Sequence, residues 1–298
     1  MLSPSFCLLM NLSYGEIFWD HFKKEDQLNY EIHYSCCSHV GKRRNENQDN
    51  FLCDGKHLGD FGDPVKFSMH GCIDHSQPNV FGVFDGMGGE EQGEIASLIA
   101  AKCAAELKIG PRPIEDLQQY CATANEEICR YVDNNDIGSM GTTAVIIAFA
   151  ENEIDLCNIG DSKAFHFDGD KLEQISVDHY AATIYGEKPP LSQNLGIPPS
   201  EIMIEPNYAR GCYHDGDIFL LCSDGLTDMV SKDEIAKILK ELAAGGTTDV
   251  NKATEELLQK ALDHGGRDNI TIILCRLKKR KRGLFDKIFH FLSGVLGG

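Results

Sequence analysis

The spacing of apolar and polar residues changes several times along the chain, and two stretches show the four-residue repeat of amphipathic helices. Residues 93–108 form the first stretch, and its predicted inner face carries Ile95, Ile99, Cys103 and Leu107. Residues 114–132 form the second, with a predicted inner face of Leu117, Cys121, Ala124, Ile128 and Tyr131. We therefore expect two consecutive helices in the first half of the chain.

The following residues are patterned as strands. Residues 142–177 predict successive strands, with hairpin turns at Glu151-Asn152 and Asp168-Gly169. Apolar strands are also expected at 217–225 and 269–277, and helices at 231–246 and 250–266. Ser231 and Glu234 have the spacing of a capping box at the start of one of these helices. Paired helices between groups of antiparallel strands predict sheets packed together with helices outside, in one domain.

The two ends of the chain differ from this central part. Residues 1–31 show no clean period and are interpreted as an N-terminal arm. Residues 278–298 begin with five consecutive basic residues and continue as an amphipathic helical pattern. Such a tail either lies on an anionic membrane surface or packs on its own domain, and its charge contrast with the acidic body favours docking.

Composition narrows the class of protein. The formal net charge of −18 over 298 residues argues against nucleic acid as a partner, because a phosphate backbone would be repelled. The 12 cysteines include no Cys-x-x-Cys pair, which favours a reducing cytoplasm. The sequence has no apolar run of about 18 residues and no basic region before its short N-terminal apolar segment, so neither a spanning helix nor a secretory signal is expected.

Several aspartates stand at the ends of apolar strands. Asp85 follows the apolar run of residues 80–84 and precedes Gly86, and similar positions are held by Asp49, Asp161, Asp224 and Asp268. One such aspartate usually forms a turn. Together they predict a site for hard cations such as Mg²⁺ or Mn²⁺, to which a glycine carbonyl can also bind. A dinucleotide loop starting at Gly86 is excluded, because Glu91 stands where a glycine is needed.

Six segments then identify a resemblance. In chain order they are "GKRRNENQDNF", "VFGVFDGMGG", "GSMGTTAVIIAF", "NIGDSKAF", "LLCSDGLTD" and "GGRDNITIIL". With these motifs in this order, the chain resembles the metal-dependent serine/threonine protein phosphatases of the type 2C (PPM) family, in its bacterial-type branch. The resemblance covers residues 32–277 and implies an α+β fold, a four-layer αββα sandwich of two antiparallel sheets flanked by helices.

The resemblance also implies roles for individual residues. It makes Asp49, Asp85, Asp224 and Asp268 catalytic ligands of two divalent cations, Mn²⁺ or Mg²⁺, with Asp85 bridging them and Gly86 offering its carbonyl. Arg44 would bind the substrate phosphate, with Arg43 as the alternative. It implies structural roles for a second set of residues: Thr142, Thr143, Asp161, Asp178, His179 and Asn269.

The implied activity is hydrolysis of phosphoserine and phosphothreonine by attack of a metal-bridging water. The implied partners are phosphorylated proteins, and we expect a monomeric cytoplasmic enzyme, peripheral at the inner membrane face through residues 278–298. The alternative is a catalytically silent, type 2C-like scaffold that binds phosphoproteins, but all four metal aspartates are present.

The sequence departs from the family pattern at three positions. Met87 replaces a histidine proposed to protonate the leaving group, so that proton would come from water. Gln48 replaces an acid that often precedes Asp49, and Gly138 stands near the position of an aspartate that holds a third metal. Residues 178–215 would form the flap that borders the cleft.

Overall fold

The computed structural model describes residues 30–62, 64–74, 78–88, 92–150, 153–182, 189–245 and 250–280. Along the chain the elements are β1 (Tyr30–His39), β2 (Asp49–Leu52), β3 (Lys66–Asp74), β4 (Asn79–Gly88), α1 (Gly93–Ala105), α2 (Pro113–Asn135), β5 (Met140–Thr142), β6 (Ala144–Ala150), β7 (Glu153–Ile159), β8 (Lys163–Phe167), β9 (Leu172–Gln174), β10 (Asn207–Cys212), β11 (Ile218–Cys222), α3 (Asp224–Thr227), α4 (Lys232–Gly245), α5 (Val250–Asp263) and β12 (Ile270–Lys279).

The strands form two antiparallel sheets. The first sheet has the order β3-β1-β12-β11-β8-β9, and the second has the order β10-β7-β6-β4-β2, with β5 paired to the end of β4. Alternate residues of the apolar strands point to opposite faces, so each sheet buries one face against the other sheet and one against helices. The α+β architecture of two packed sheets with helices outside is confirmed.

Aromatic rings fill the layer between the sheets. Phe149 of β6 contacts both Phe81 and Phe219, with ring centroids 5.8 and 5.4 Å apart, in the edge-to-face arrangement that aromatic pairs favour. Phe219 belongs to the first sheet and Phe149 to the second, so this contact joins the two sheets. A rigid core of this kind fixes the two sheet edges relative to each other.

The predicted inner face of the first helix is wrong. Helix α1 buries Gly93, Ala96, Ser97, Ala100, Ala101 and Ala104, whereas Ile95, Ile99, Cys103 and Leu107 are only partly buried. Small side chains let the helix approach the sheet so closely that a Cβ added to Gly93 would lie 2.8 Å from the carbonyl carbon of Gly86. In α2 the predicted inner positions Leu117, Cys121, Ala124 and Ile128 are buried, and Tyr131 is half-buried.

Local signals in the second half of the chain agree with the structure. The Glu234 N–H donates to the Ser231 hydroxyl at 3.4 Å and the Ser231 N–H donates to a carboxylate oxygen of Glu234 at 3.2 Å, which confirms the capping box at α4. The turn predicted at Asp168-Gly169 is present, with residues 168–171 between β8 and β9. The predicted turn at 151–152, the arm up to residue 29 and the tail from residue 281 lie outside the described residues. Residues 30–31 of the predicted arm belong to β1, and residues 278–279 of the predicted tail belong to β12.

Candidate active site

The centre of the candidate site is a pair of aspartates on neighbouring strands. Strand β2 begins at Asp49, and the antiparallel register of β2 and β4 places Asp49 directly opposite Asp85. Directly opposite residues project from the same face of a sheet, with Cβ atoms about 4.5–5.5 Å apart. Hydrophobic residues precede Asp85 in β4 and follow Asp49 in β2, so the pair stands where the buried parts of both strands end.

Two further aspartates come from the first sheet. Asp224 begins α3 two residues after the end of β11, and Asp268 stands two residues before β12. Because β11 and β12 are antiparallel neighbours, the end of β11 and the start of β12 lie side by side at the same end of the strands. The two segments touch at Gly225, where an added Cβ would lie 1.9 Å from the carbonyl oxygen of Asn269.

A serine joins the two halves of the site. The Ser223 hydroxyl donates to Oδ2 of Asp49 at 2.7 Å and accepts a hydrogen bond from the backbone N–H of Thr271 at 3.0 Å. Ser223 directly follows β11 of the first sheet, and Asp49 begins β2 of the second sheet. This buried contact therefore fixes the Asp49 carboxylate relative to the segment that carries Asp224.

The pKa values of the paired aspartates are raised by burial and by the charges of the other aspartates at the site. Burial raises the pKa of Asp49 to about 7, opposed by hydrogen bonds from Ser223 and Thr271 and reinforced by the charges of Asp224 and Asp268. The pKa of Asp85 is raised well above its usual value by loss of hydration, and then by Asp49, Asp224, Asp161 and Asp268 in decreasing order. A site of this charge favours a bound cation.

The backbone of Asp85 is held by Thr142, the last residue of β5, and by Thr143, which follows it. The Asp85 carbonyl accepts hydrogen bonds from the Thr142 hydroxyl at 3.0 Å and the Thr143 N–H at 2.9 Å. The Asp85 N–H donates to the Thr143 hydroxyl at 3.0 Å. The sequence pattern suggested only that these threonines pack at a strand start, so their direct hold on Asp85 was missed.

Gly86 is enclosed by backbone on two sides. Its N–H donates to the carbonyl of Gln48 at 3.1 Å. An added Cβ would lie 2.1 Å from the carbonyl oxygen of Gly93 and 2.5 Å from that of Gln48. Only glycine fits here, because both neighbours are backbone atoms that cannot move independently.

Asn269 positions the loop that leads into β2. Its amide nitrogen donates to the carbonyls of Val40 and Glu46, both at 2.9 Å, and its amide oxygen accepts the N–H of Gln48 at 2.8 Å. The loop between these residues carries Arg44. The structural role that the sequence suggested for Asn269 agrees with these contacts.

Arg44 lies against one of the four aspartates. Its Nε and Nη2 atoms donate to the two carboxylate oxygens of Asp268 at 2.8 and 2.7 Å, a bidentate pair at an exposed position. The Arg44 pKa is raised by this hydrogen bonding, and the charges of Asp85 and Asp224 contribute to the same direction. The guanidinium is thus placed at the rim of the aspartate cluster.

The remaining predicted residues surround the cluster. Asp161 accepts a hydrogen bond from the Tyr180 hydroxyl at 3.1 Å. Asp178 pairs with the partly buried Lys163 at 2.6 Å, and Nδ1 of His179 lies 3.2 Å from the backbone of Gly160. These contacts connect the start of the flap to the sheet and agree with the structural roles suggested for Asp161, Asp178 and His179.

A cleft of about 770 Å³ opens at Met87, the residue after Gly86, and none of the four aspartates lines it. Met87 lines one side, and Gly138, Asn194 and Ile197 lie among the other lining residues. The Met87 thioether offers no proton, so this side chain contributes apolar surface to that cleft. A second cavity, of about 370 Å³, is lined by Asp268 and Gly225 together with Tyr180 and Pro189 of the predicted flap. The flap prediction of residues 178–215 is too long, because residues 207–212 form β10 of the second sheet.

The comparison with known proteins decides the family. The family model described as "Protein phosphatase 2C" matches residues 67–263, a range that contains Asp85, Gly86 and Asp224. The chain belongs to the protein phosphatase 2C family. It is a metal-dependent serine/threonine protein phosphatase, and its place in the bacterial type 2C group is confirmed by the relatives below.

Named relatives of this phosphatase are bacterial. The serine/threonine phosphatase stp of Listeria innocua is 30% identical over 229 residues, which cover 70% of this chain and 87% of that protein. The serine/threonine protein phosphatase PstP of Mycobacterium tuberculosis is 31% identical over 72% of this chain and 43% of that protein. Its crystal structure matches with a TM-score of 0.67 at 26% identity, covering 83% of this chain and 99% of that one.

A second crystal structure bears on the site. The catalytic domain of PstP in complex with two manganese ions is 26% identical to this phosphatase, with a TM-score of 0.66 over 84% of this chain and all of that one. In this protein phosphatase 2C fold, Asp49, Asp85, Asp224 and Asp268 stand at neighbouring strand ends. Their carboxylate oxygens are the donors that such ions prefer.

Proposed function

We propose that this chain hydrolyses phosphoserine and phosphothreonine in proteins, with two divalent cations, Mn²⁺ or Mg²⁺, bound at the edge where its two sheets meet. The observation that carries the proposal is the convergence of Asp49, Asp85, Asp224 and Asp268. Burial, reinforced by the charges of Asp224 and Asp268, raises the pKa of Asp49 to about 7, and bound cations would offset this effect. The alternative of a silent scaffold is not favoured, because the full carboxylate set is present.

The donor set fits hard cations. We assign Asp85 as the ligand shared by both ions and Asp49, Asp224 and Asp268 as the other carboxylate ligands, with the carbonyl of Gly86 as a backbone ligand. The absence of space for a Cβ at Gly86 supports this assignment, since the backbone there is held close to Gln48 and Gly93. Three residues would hold the ligand residues in place without binding the cations themselves: Ser223, Thr142 and Thr143.

When bound, the two cations supply a nucleophilic water near neutral pH and neutralise charge on the phosphoryl oxygens. The chain itself would bind and orient the substrate. Arg44 can offer its planar guanidinium to two phosphate oxygens, as it offers it to the two oxygens of Asp268. Met87 holds no proton to give, so the leaving hydroxyl would take its proton from water.

The experiment is hydrolysis of a phosphothreonine peptide with added Mn²⁺, with EDTA, and with Asp224→Asn. We expect activity that requires the metal and is lost in Asp224→Asn. Asp233→Asn is the matched control, because Asp233 is an exposed aspartate in the first turn of α4. A wild-type protein that binds Mn²⁺ and hydrolyses nothing would instead support the scaffold.

We also infer that the phosphatase acts as a monomer in the cytoplasm and contacts anionic membranes through residues 278–298. The inference is supported by five basic residues followed by an amphipathic pattern. Within the described residues, no helix has both the length and the apolar composition needed to cross a membrane. Cosedimentation with phosphatidylserine vesicles, compared with a chain ending at residue 280, tests it. Equal sedimentation of both chains would refute the contact.

A further inference from the structure

A second group of metal-binding side chains lies on the first sheet, in elements that contribute none of the four catalytic aspartates. Glu31 and His33 are two residues apart on β1, and Cys72 stands opposite His33 on the neighbouring strand β3. Residues two apart on a strand share a face, as do directly opposite residues, so all three side chains project together. In β3 this face is the exposed one, since Cys72 and Asp74 are exposed while Ile73 packs into the core.

The three ligand atoms have the separations of a metal site. Sγ of Cys72 lies 3.7 Å from Nε2 of His33 and 3.9 Å from Oε2 of Glu31. Nε2 of His33 and Oε2 of Glu31 are 3.5 Å apart. Bonds of about 2.3 Å to sulfur and about 2.0–2.2 Å to nitrogen and oxygen, at tetrahedral angles, require separations of about 3.4–3.6 Å. Each pair therefore needs to move by only a few tenths of an ångström.

We propose that Glu31, His33 and Cys72 form a Zn²⁺ site with an open fourth position for water. A thiolate and an imidazole select a borderline-soft ion such as Zn²⁺, whereas the all-oxygen catalytic set selects Mg²⁺ or Mn²⁺. Binding breaks the S–H bond of Cys72, forms a sulfur–zinc bond and releases the proton to solvent. The site would thus hold a different metal from the catalytic centre.

A neighbouring arginine supports the position of the glutamate. Nε of Arg280 lies 3.7 Å from Oε1 of Glu31, and Nη1 of Arg280 binds Asp74 at 2.8 Å. The second oxygen of Glu31 is therefore the one directed at His33 and Cys72. Outer partners of this kind hold a metal-binding carboxylate in one orientation.

The position in the fold suggests what the ion would do. Strand β3 is the last strand at one end of the first sheet, and it pairs only with β1 in the sheet order of the described residues. A Zn²⁺ bound to both strands would join this edge strand to its neighbour. We expect Zn²⁺ to raise the Tm of the full chain in the presence of excess Mg²⁺.

Cobalt provides the test, because Co²⁺ replaces Zn²⁺ and a thiolate ligand gives it a near-ultraviolet charge-transfer band that carboxylates do not give. The full chain is titrated with Co²⁺ in excess Mg²⁺, which occupies the catalytic carboxylates. We expect the band in the wild type, its displacement by one equivalent of Zn²⁺, and its loss in Cys72→Ser. His33→Ala should require a Co²⁺ concentration at least about tenfold higher, since even outer-shell losses cost 10–100-fold.

Cys212→Ser is the matched control, because Cys212 is also exposed but lies on β10 of the other sheet. It should keep the band. Cys72→Ser should keep the wild-type circular dichroism and phosphatase activity, since Cys72 is exposed and touches no catalytic ligand. A wild type without the band, or a band that survives in Cys72→Ser, overturns the proposal.

Discussion

Asp49 lies directly opposite Asp85 in the ladder between β2 and β4, and this register places two carboxyls of like charge on one face at the sheet edge. The pKa of Asp49 is raised to about 7 by burial and by neighbouring aspartates. In the unfolded chain the same group titrates near 3.8. The burial and the proximity of these carboxyls, which would serve cation binding, thus oppose folding when no cation is bound.

The first prediction is a pH dependence of the metal-free protein. Between about pH 4 and 7 the folded state holds a proton on Asp49 that the unfolded state has lost, so stability must fall as pH rises. We expect the free energy of unfolding in EDTA to decrease from pH 5 to pH 8, with Asp49 contributing at most about 1.4 kcal/mol per pH unit. Urea unfolding at each pH measures it.

Asp49→Asn is the control for this pH dependence. The amide keeps the shape of the side chain and removes the titration, so the slope between pH 5 and pH 8 should flatten. Saturating Mn²⁺ should also remove the loss of stability in the wild type, because the cation binds the deprotonated carboxylates. An unchanged slope in Asp49→Asn would show that other groups cause the pH dependence.

The second prediction concerns the bidentate contact between Arg44 and Asp268. A substrate phosphate that binds Arg44 would take the place of the Asp268 carboxylate as the partner of the guanidinium. We expect Arg44→Ala to lower kcat/KM for a phosphopeptide about 10- to 100-fold, since a hydrogen bond to a charged group contributes about 1.5–3 kcal/mol. Steady-state kinetics with saturating Mn²⁺ measures the change.

Arg43→Ala separates the two arginines that the sequence left as alternatives. Arg43 is also exposed, one residue before Arg44, so its removal changes the net charge equally. We expect it to retain nearly full kcat/KM. If Arg43→Ala lost activity and Arg44→Ala did not, the assignment of the phosphate ligand would move by one residue.

The sequence was sufficient for all the helices except the short α3, for most strands and for the aspartates at strand ends, because these depend on local patterns, but it did not predict β10 within the supposed flap. Alternation, helical spacing and the Ser231–Glu234 capping box each act within a few residues. The sequence pattern gave the wrong buried face for α1. Because α1 approaches Gly86 closely, its inner residues are mostly alanines. Apolar size alone therefore gave the wrong side of that helix.

Contacts between distant segments could not be predicted. Arg44 and Asp268 are 224 positions apart, and Ser223 and Asp49 are 174 apart. The local sequence at Thr142 and Thr143 does not predict their hydrogen bonds to the backbone of Asp85. The metal-binding geometry of Glu31, His33 and Cys72 likewise depends on the register between β1 and β3.

The third prediction tests the enclosed position of Gly86. Gly86→Ala places a Cβ against two backbone carbonyls, so α1 or the loop before β2 must move. We expect a loss of about 1–3 kcal/mol of stability, as for other overpacked sites, and nearly complete loss of activity. Gly138→Ala is the control, because an added Cβ there meets nothing within 4 Å. Thermal unfolding and peptide hydrolysis of both variants decide between a steric effect and general intolerance of alanine.

The last prediction concerns Ser223, which joins the two sheets at the site. Ser223→Ala removes the donor to Asp49 and the acceptor for Thr271 N–H, which leaves a buried N–H without that partner. We expect a loss of about 1–3 kcal/mol of stability. The apparent affinity for Mn²⁺ should fall about 10- to 100-fold, because Ser223 orients a proposed ligand.

Ser231→Ala is the matched serine variant for this test. Ser231 caps α4, so its loss should cost about 1 kcal/mol of stability. It lies outside the aspartate cluster, so the Mn²⁺ dependence of hydrolysis should stay as in the wild type. The two variants therefore separate a fold effect from a metal effect. Equal Mn²⁺ dependence in both would mean that Ser223 supports the fold without orienting Asp49.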